Sequence, residues 1–329
     1  MSALTFADCT APGITRRACG KGWIFLDPQG QRIAEQAEIE RLKAIALPPA
    51  CTDCWYSLDP NAHILATGID ARGRKQYRYH PEYRERQEAL KFDSLREFGA
   101  ALPAIRRRVE ADVAQHRINR ERALACVVRL LDSTALRIGN ECYAKANRTF
   151  GATTLRRRHL RLEGKTIRLR FKAKSGKQRE LALTDRNLMR FIRQVQDLPG
   201  QHLFQFLDES GDPAPVSSCD VNAYLSEAAG THFTAKHFRT WAASVTAFEA
   251  IVTDREPPTI KSIAGMVADV LANTPAIARK SYIHPEVFAL VSDEDARSAW
   301  CSKRLPRKTR WLLPAERGFL TYLQASESA

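Results

Sequence analysis

Apolar positions along the chain follow two different rhythms. From about Gly20 to Pro81 they come in short bursts cut by turn residues. Trp23-Ile-Phe-Leu26, Asp27-Pro-Gln-Gly30 and Gln31-Arg-Ile33 read as strand, turn and strand. Ala37, Ile39, Leu42 and Ile45 predict a short helix within Glu35 to Ile45, which Pro48-Pro49 stops. Cys54 to Leu58 and His63 to Thr67 resume strands around an Asp59-Pro-Asn61 turn. Gly73 to Tyr79 alternates charge with aromatic rings, which puts Tyr77 and Tyr79 on one face of a strand.

Beyond His80-Pro81 the rhythm becomes helical. Tyr83 to Glu97 is a charged helix, and Leu124, Val127, Val128, Leu131 and Ala135 form one apolar stripe. A single β insert interrupts this region. It comprises His159 to Leu162, Ile167 to Phe171 and Gln178 to Leu183, joined at Glu163-Gly164 and Ser175-Gly176. The expected class is α+β. A small β-rich N-terminal domain over 1–88 precedes a larger, mostly α-helical domain over 89–329 that carries a three-stranded meander. The tail past Asp293 ends in a polar Ser/Glu segment and offers no reading.

Charge adds a partner to this picture. The 51 Lys+Arg against 37 Asp+Glu give a net charge of +14, which favours a polyanion, nucleic acid before an anionic membrane. No apolar run approaches the roughly 20 residues of a membrane span. Met1 to Thr10 lacks the basic and apolar regions of a signal peptide. The expectation is a cytoplasmic protein with reduced cysteines. Cys51-Thr-Asp-Cys54 is a CxxC, but Cys9 and Cys19 do not supply a second pair at metal-site spacing, so no metal is expected. Glu163-Gly-Lys-Thr166 mimics the end of a nucleotide-binding loop, yet His159 stands where its first glycine belongs. No cofactor is expected.

Five short segments carry candidate chemistry: Leu136-Arg-Ile-Gly-Asn140, Phe171-Lys-Ala-Lys-Ser-Gly-Lys177, Lys236-His-Phe-Arg-Thr-Trp241, Leu271-Ala-Asn-Thr-Pro275 and Ala278-Arg-Lys-Ser-Tyr-Ile-His-Pro285. Residues 156–179 hold eleven Lys+Arg against one acid, Glu163. Such a run repels itself unless an anion lies against it. Transfer of a phosphodiester to a tyrosine needs a phenol that loses its proton, cations on the non-bridging oxygens and a proton donor for the leaving oxygen. Arginine suits the oxygens through its planar, permanently charged fork. Lysine suits the leaving group because it can release a proton.

In order and spacing these segments resemble the catalytic domain of type IB DNA topoisomerases, the bacterial and poxvirus-like branch, from about Lys21 to Leu290. The resemblance implies a catalytic set of Arg137, Lys174, Arg239, Asn273 and Tyr282. Tyr282 matches the nucleophile, Arg137 and Arg239 the two phosphate-binding arginines, and Lys174 the general acid on a hairpin. Lys172 and Lys177 remain alternatives for that last role. Many relatives have histidine where this chain has Asn273, which favours oxygen stabilisation over proton transfer there. Gln76, Tyr77, Tyr79, Tyr143 and Lys236 match DNA-contacting positions.

The implied activity is relaxation of supercoiled double-stranded DNA through a 3′-phosphotyrosyl intermediate, without ATP or metal. The implied form is a monomer that clamps the duplex and works at the nucleoid. A tyrosine recombinase shares this chemistry. The β-rich start and the Lys75-Gln-Tyr-Arg-Tyr79 segment set the chain apart from that alternative, and the intact catalytic set from a non-catalytic DNA binder.

Overall fold

The computed structural model describes residues 4–20, 22–71, 73–254 and 258–326; Lys21, where the resemblance begins, lies outside them. The chain folds as two compact units, Met1–Lys91 and Phe92–Ala329.

The first unit is built on a five-stranded antiparallel sheet. Its strands are β1 (Ile14–Cys19), β2 (Gly22–Leu26), β3 (Thr52–Tyr56), β4 (Ile64–Ile69) and β5 (Lys75–Tyr79), in the order β2-β1-β3-β4-β5, and helix α1 (Gln36–Ala44) lies between β2 and β3 in the chain. The turn after Leu26 forms as expected, with the Asp27 N–H donating to the Gln31 carbonyl at 2.9 Å. Its second arm is reduced to one bridge, Leu26 to Arg32. The partner of β2 is instead β1, from Thr15 opposite Leu26 to Cys19 opposite Gly22. The two arginines of Ile14-Thr-Arg-Arg-Ala-Cys19 hide this strand from a pattern reading. In the fold Arg16 donates to the Leu47 carbonyl at 2.9 Å and stacks 4.3 Å from the Trp23 ring centroid.

Ile14, Phe25, Leu42, Leu47, Tyr56 and Ala66 form the unit's core together with Cys51 and Cys54. The CxxC thiols behave as small hydrophobes there. The Cys54 thiol donates to the Cys51 carbonyl at 3.2 Å. Among the described residues no group of three His, Cys, Asp or Glu is placed to hold a metal.

The second unit is helical around a core led by α3 (Arg120–Thr134), in which Ala123 to Val128, Leu130 and Leu131 are all buried. Helix α2 (Pro81–Ala114) precedes it and α4 (Glu141–Asn147) follows. The β insert is a meander of β6 (Leu160–Glu163), β7 (Thr166–Lys172) and β8 (Gln178–Leu183), in that order. Then come α5 (Arg186–Val195), a hairpin of β9 (Gln205–Leu207) and β10 (Pro213–Pro215), α6 (Ser218–Ala229) and α7 (Ala235–Thr253). The chain continues through α8 (Ile260–Leu271), α9 (Pro275–Ser281), α10 (Pro285–Ser292), α11 (Glu294–Cys301) and α12 (Pro314–Ser326). Helix α12 closes the core rather than trailing from it. Phe319 and Leu323 are buried, and the Glu316 carboxylate accepts from Arg106 at 2.7 Å and from the Trp241 indole at 3.0 Å. Among the described residues no helix is long and apolar enough to cross a membrane.

Candidate active site

Three helix ends meet at the site. Helix α3 stops at Thr134 and Ala135 takes the left-handed conformation, φ 50°. This releases the chain into the segment that carries Arg137. Two glycines hold that segment in place. Gly139 has φ 97°, and a Cβ on Gly151 would lie 2.5 Å from the Arg137 carbonyl and 2.6 Å from the Gly139 nitrogen. The Ala152 N–H donates to the Arg137 carbonyl at 2.9 Å.

Helix α8 ends in a second left-handed alanine, Ala272, φ 50°. The Asn273 N–H then turns back to the Ala268 carbonyl at 2.9 Å, a Schellman closure built without glycine. The last four carbonyls of a helix lack intrahelical partners, and here each finds one. Ala268 accepts from Asn273. Asp269 and Val270 accept from Arg179 on β8, at 3.2 and 2.8 Å. Leu271 accepts from Arg239 Nη2 at 3.1 Å. The other Arg239 fork atom, Nη1, donates to the Ala135 carbonyl at the end of α3. Arg239 thus ties two helix C-termini together, where a cation is favoured by the helix dipoles.

Arg239 itself comes from near the start of α7. Thr234 is the N-cap residue, and its N–H donates to the His237 ring at 3.0 Å. Asn273 is 8% exposed and Arg239 3% exposed. Arg137 Nη2 donates to Asn273 Oδ1. Asn273 Nδ2 is buried and finds no acceptor among the described residues.

Tyr282 follows the last residue of α9, and its ring centroid lies 5.0 Å from the Arg239 guanidinium carbon. The Ser244 hydroxyl on α7 donates to the Tyr282 carbonyl at 3.2 Å, which anchors the backbone. Burial pushes the phenol up, but Arg239, Arg137 and Lys236 outweigh it and hold it below its ordinary value of 10. Arg239 is pulled down to about 10 by burial and by Arg137, and is still a cation at neutral pH. Burial also lowers Arg137.

Four of the five sequence-predicted residues therefore converge: Arg137, Arg239, Asn273 and Tyr282. Lys174 stands apart, exposed in a 3-10 turn between β7 and β8. Ser175 and Gly176 in that turn have φ 64° and 78°, and the Ala173 N–H closes it on the Lys177 carbonyl at 2.7 Å. Lys177 is the hairpin lysine that reaches the cluster, donating to the Asn273 carbonyl at 2.7 Å. Arg179 was visible only as the last member of the basic run. Its inward turn could be suspected from alternation with Leu181 and Leu183, but its carbonyl partners could not.

The remaining candidates lie mostly on exposed surfaces. Tyr143 is exposed on α4 and Lys236 on α7. In the first unit Tyr77 and Tyr79, 42% and 46% exposed, stack at 5.9 Å on edge strand β5. Gln76, half-buried on the same strand, donates to Asp70 at 2.8 Å.

The chain is similar to several known proteins. The catalytic core of eukaryotic DNA topoisomerase I matches residues 80–280, and the N-terminal domain of bacterial DNA topoisomerase IB matches residues 22–70. DNA topoisomerase 1B of Acanthamoeba polyphaga mimivirus is 30% identical over 285 residues, covering 82% of this chain and 85% of the relative. DNA topoisomerase 1 of Rabbit fibroma virus (strain Kasza) is 23% identical over 267 residues, 78% of this chain and 82% of the relative. A solved structure of the XerH site-specific recombinase bound to palindromic difH substrate is similar at a TM-score of 0.40 and 16% identity, over 60% of this chain and 51% of that one. The family matches and the mimivirus relative together show that this chain belongs to the type IB DNA topoisomerases.

Proposed function

We propose that the enzyme relaxes double-stranded DNA by a cycle of cleavage and resealing centred on Tyr282. The observation that carries this reading is the convergence of two guanidinium groups on one tyrosine with a lowered pKa, one of them bonded to Asn273, whose buried amide donor is unmatched among the described residues. The Tyr282 oxygen attacks phosphorus and the P–O5′ bond breaks. Lys174 gives its proton to the departing 5′-oxygen, and the 3′-phosphate remains on the tyrosine. Arg137, Arg239 and the Asn273 amide hold the non-bridging oxygens as charge develops in a largely desolvated site. The free 5′-hydroxyl end swivels and then attacks the phosphotyrosine to restore the strand. The phosphotyrosine conserves the bond energy, so the cycle draws on neither ATP nor a metal ion.

Lys174 meets the leaving group once a duplex lies along the hairpin. Gln76, Tyr77, Tyr79, Tyr143 and Lys236 contact that duplex, with the β-rich unit closing on it as one half of a monomeric clamp. The enzyme works in the cytoplasm, at the nucleoid. A supercoiled plasmid incubated in EDTA without ATP tests the reading. Relaxation is expected, with a trapped adduct linking the Tyr282 peptide to a 3′ DNA end. A requirement for Mg²⁺ or ATP, or an adduct on a 5′ end, overturns it.

A further inference from the structure

Arg179 occupies a position made for a hydrophobe. On β8 it alternates inward with Leu181 and Leu183, and it pairs across the sheet with Phe171, which is 3% exposed. Its Nε is buried and has no partner among the described residues. Arg179 is half-buried, and shielding part of a cation from water with one donor unsatisfied costs stability, where an apolar residue of similar volume often serves better. The placement therefore has another use. The guanidinium spends its remaining donors on the Asp269 and Val270 carbonyls, the end of the helix that presents Asn273. Lys177 adds a second tie from the same hairpin, to the Asn273 carbonyl. Between the Arg179 ties and the Lys174 tip lie one residue pairing, Lys172 with Gln178, and the closed turn at Ala173 and Lys177, which carries the second tie.

We infer that Arg179 is a positioning residue: by clamping β8 to the C-terminal end of α8 it fixes the hairpin that aims the Lys174 ammonium at the leaving oxygen. The inference rests on the reading of Lys174 as general acid. Its hydrogen bonds go to the Asp269 and Val270 carbonyls and, among the described residues, none goes to Tyr282. Its removal acts through the placement of the proton donor, and misplacement by about 1 Å can cost on the order of a hundredfold in rate.

The experiment is single-turnover cleavage by the full chain of two otherwise identical duplexes, one with an ordinary 5′-oxygen leaving group and one with a 5′-bridging sulfur. Sulfur leaves as a thiolate and does not need the acid. Arg179→Leu keeps the inward face apolar and is the variant expected to fold; Lys177→Ala removes the second, exposed tie. Arg179→Leu is expected to slow oxygen-ester cleavage by about tenfold to a hundredfold, while cleaving the sulfur ester at close to the unmodified enzyme's rate. Adding Arg179→Leu to Lys174→Ala is expected to cost nothing further on the oxygen ester. Equal slowing on both esters, or wild-type rates on both, overturns the inference. Lys174→Ala, run in parallel, separates the two failures. If sulfur does not rescue it, the general-acid assignment falls; if sulfur rescues it but not Arg179→Leu, only the positioning role falls.

Discussion

The Arg239 guanidinium lies over the Tyr282 ring, 5.0 Å from its centroid, while its two terminal nitrogens bind the carbonyls that end α3 and α8. The arginine is fixed from behind, so its charge is in place before any substrate arrives. Such preorganisation is what makes a cation effective on developing charge. The same charge favours the phenolate form of Tyr282.

This sets a pH dependence. The folded phenol lies below its ordinary value of 10 because Arg239, Arg137 and Lys236 oppose the effect of burial. Its contribution to stability is present above the unfolded value and is lost as pH falls through the folded one, so it adds nothing near neutrality. What changes is the fraction of reactive phenolate. Lys236→Ala should shift the rising limb of the cleavage rate to higher pH, with DNA held at saturation. An unshifted profile would show that Lys236 serves binding alone.

Tyr282→Phe should abolish relaxation and the covalent adduct while leaving the affinity for duplex DNA nearly unchanged. Only the phenolic oxygen is removed; the ring that faces Arg239 stays. Filter binding and adduct trapping at one salt concentration check this, because phosphate contacts make affinity strongly salt-dependent.

Much of this arrangement was legible from pattern. The β6–β8 meander announced itself through alternation and its Gly-containing turns. Tyr77 and Tyr79 share a face, as period two requires. What escaped depended on distant partners. Strand β1 carries arginines, and the acceptors of Arg16 are loop carbonyls around Leu47. Helix α12 has apolar Phe319, Tyr322 and Leu323 at helical spacing, but its anchor lies far away: Arg106 is 210 residues from Glu316. At the site, the family resemblance of the five short segments pointed to Arg137, Arg239, Asn273 and Tyr282. The service of Arg179 to backbone carbonyls was invisible, because it is set by where α8 ends.

Glu316→Gln should destabilise the second unit. Glu316 is 5% exposed and receives Arg106 and Trp241. Breaking a buried pair costs about 3–5 kcal/mol, and the lower end applies because Arg106 keeps Asp132. Burial raises the Glu316 carboxyl, but Arg106, with the Leu313 N–H and the Trp241 indole, more than offsets this and leaves it below its usual value. That stabilisation is present above the ordinary carboxylate range and is lost as pH falls through the folded value. Thermal midpoints of the two proteins should therefore converge on acidification; a constant gap would assign the loss to the Trp241 contact.

Gly151→Ala tests the loop that carries Arg137. A methyl there would lie 2.5 Å from the Arg137 carbonyl, against backbone that cannot yield cheaply. Cleavage should fall by about a hundredfold, the order expected when a catalytic group moves by roughly 1 Å. DNA binding should change little. Full activity in this variant would mean that the Arg137 loop tolerates displacement.

Asn273 offers the sharpest comparison. Its Oδ1 is taken by Arg137, and its Nδ2 is buried with no acceptor among the described residues. A buried donor left unmade costs free energy, and a phosphate oxygen against Tyr282 would satisfy it. Asn273→Ala should lose about 1.5–3 kcal/mol of transition-state stabilisation, the worth of a hydrogen bond to a charged group. Asn273→His keeps a ring N–H donor and should retain substantial activity. Arg239→Ala should lose more, because it removes a charge, a fork of donors and the tie between two helix ends. Single-turnover cleavage of a suicide duplex by the three variants ranks them. A wild-type rate for Asn273→Ala would reduce this residue to a support for Arg137, and the oxygens would then be held by the two arginines alone.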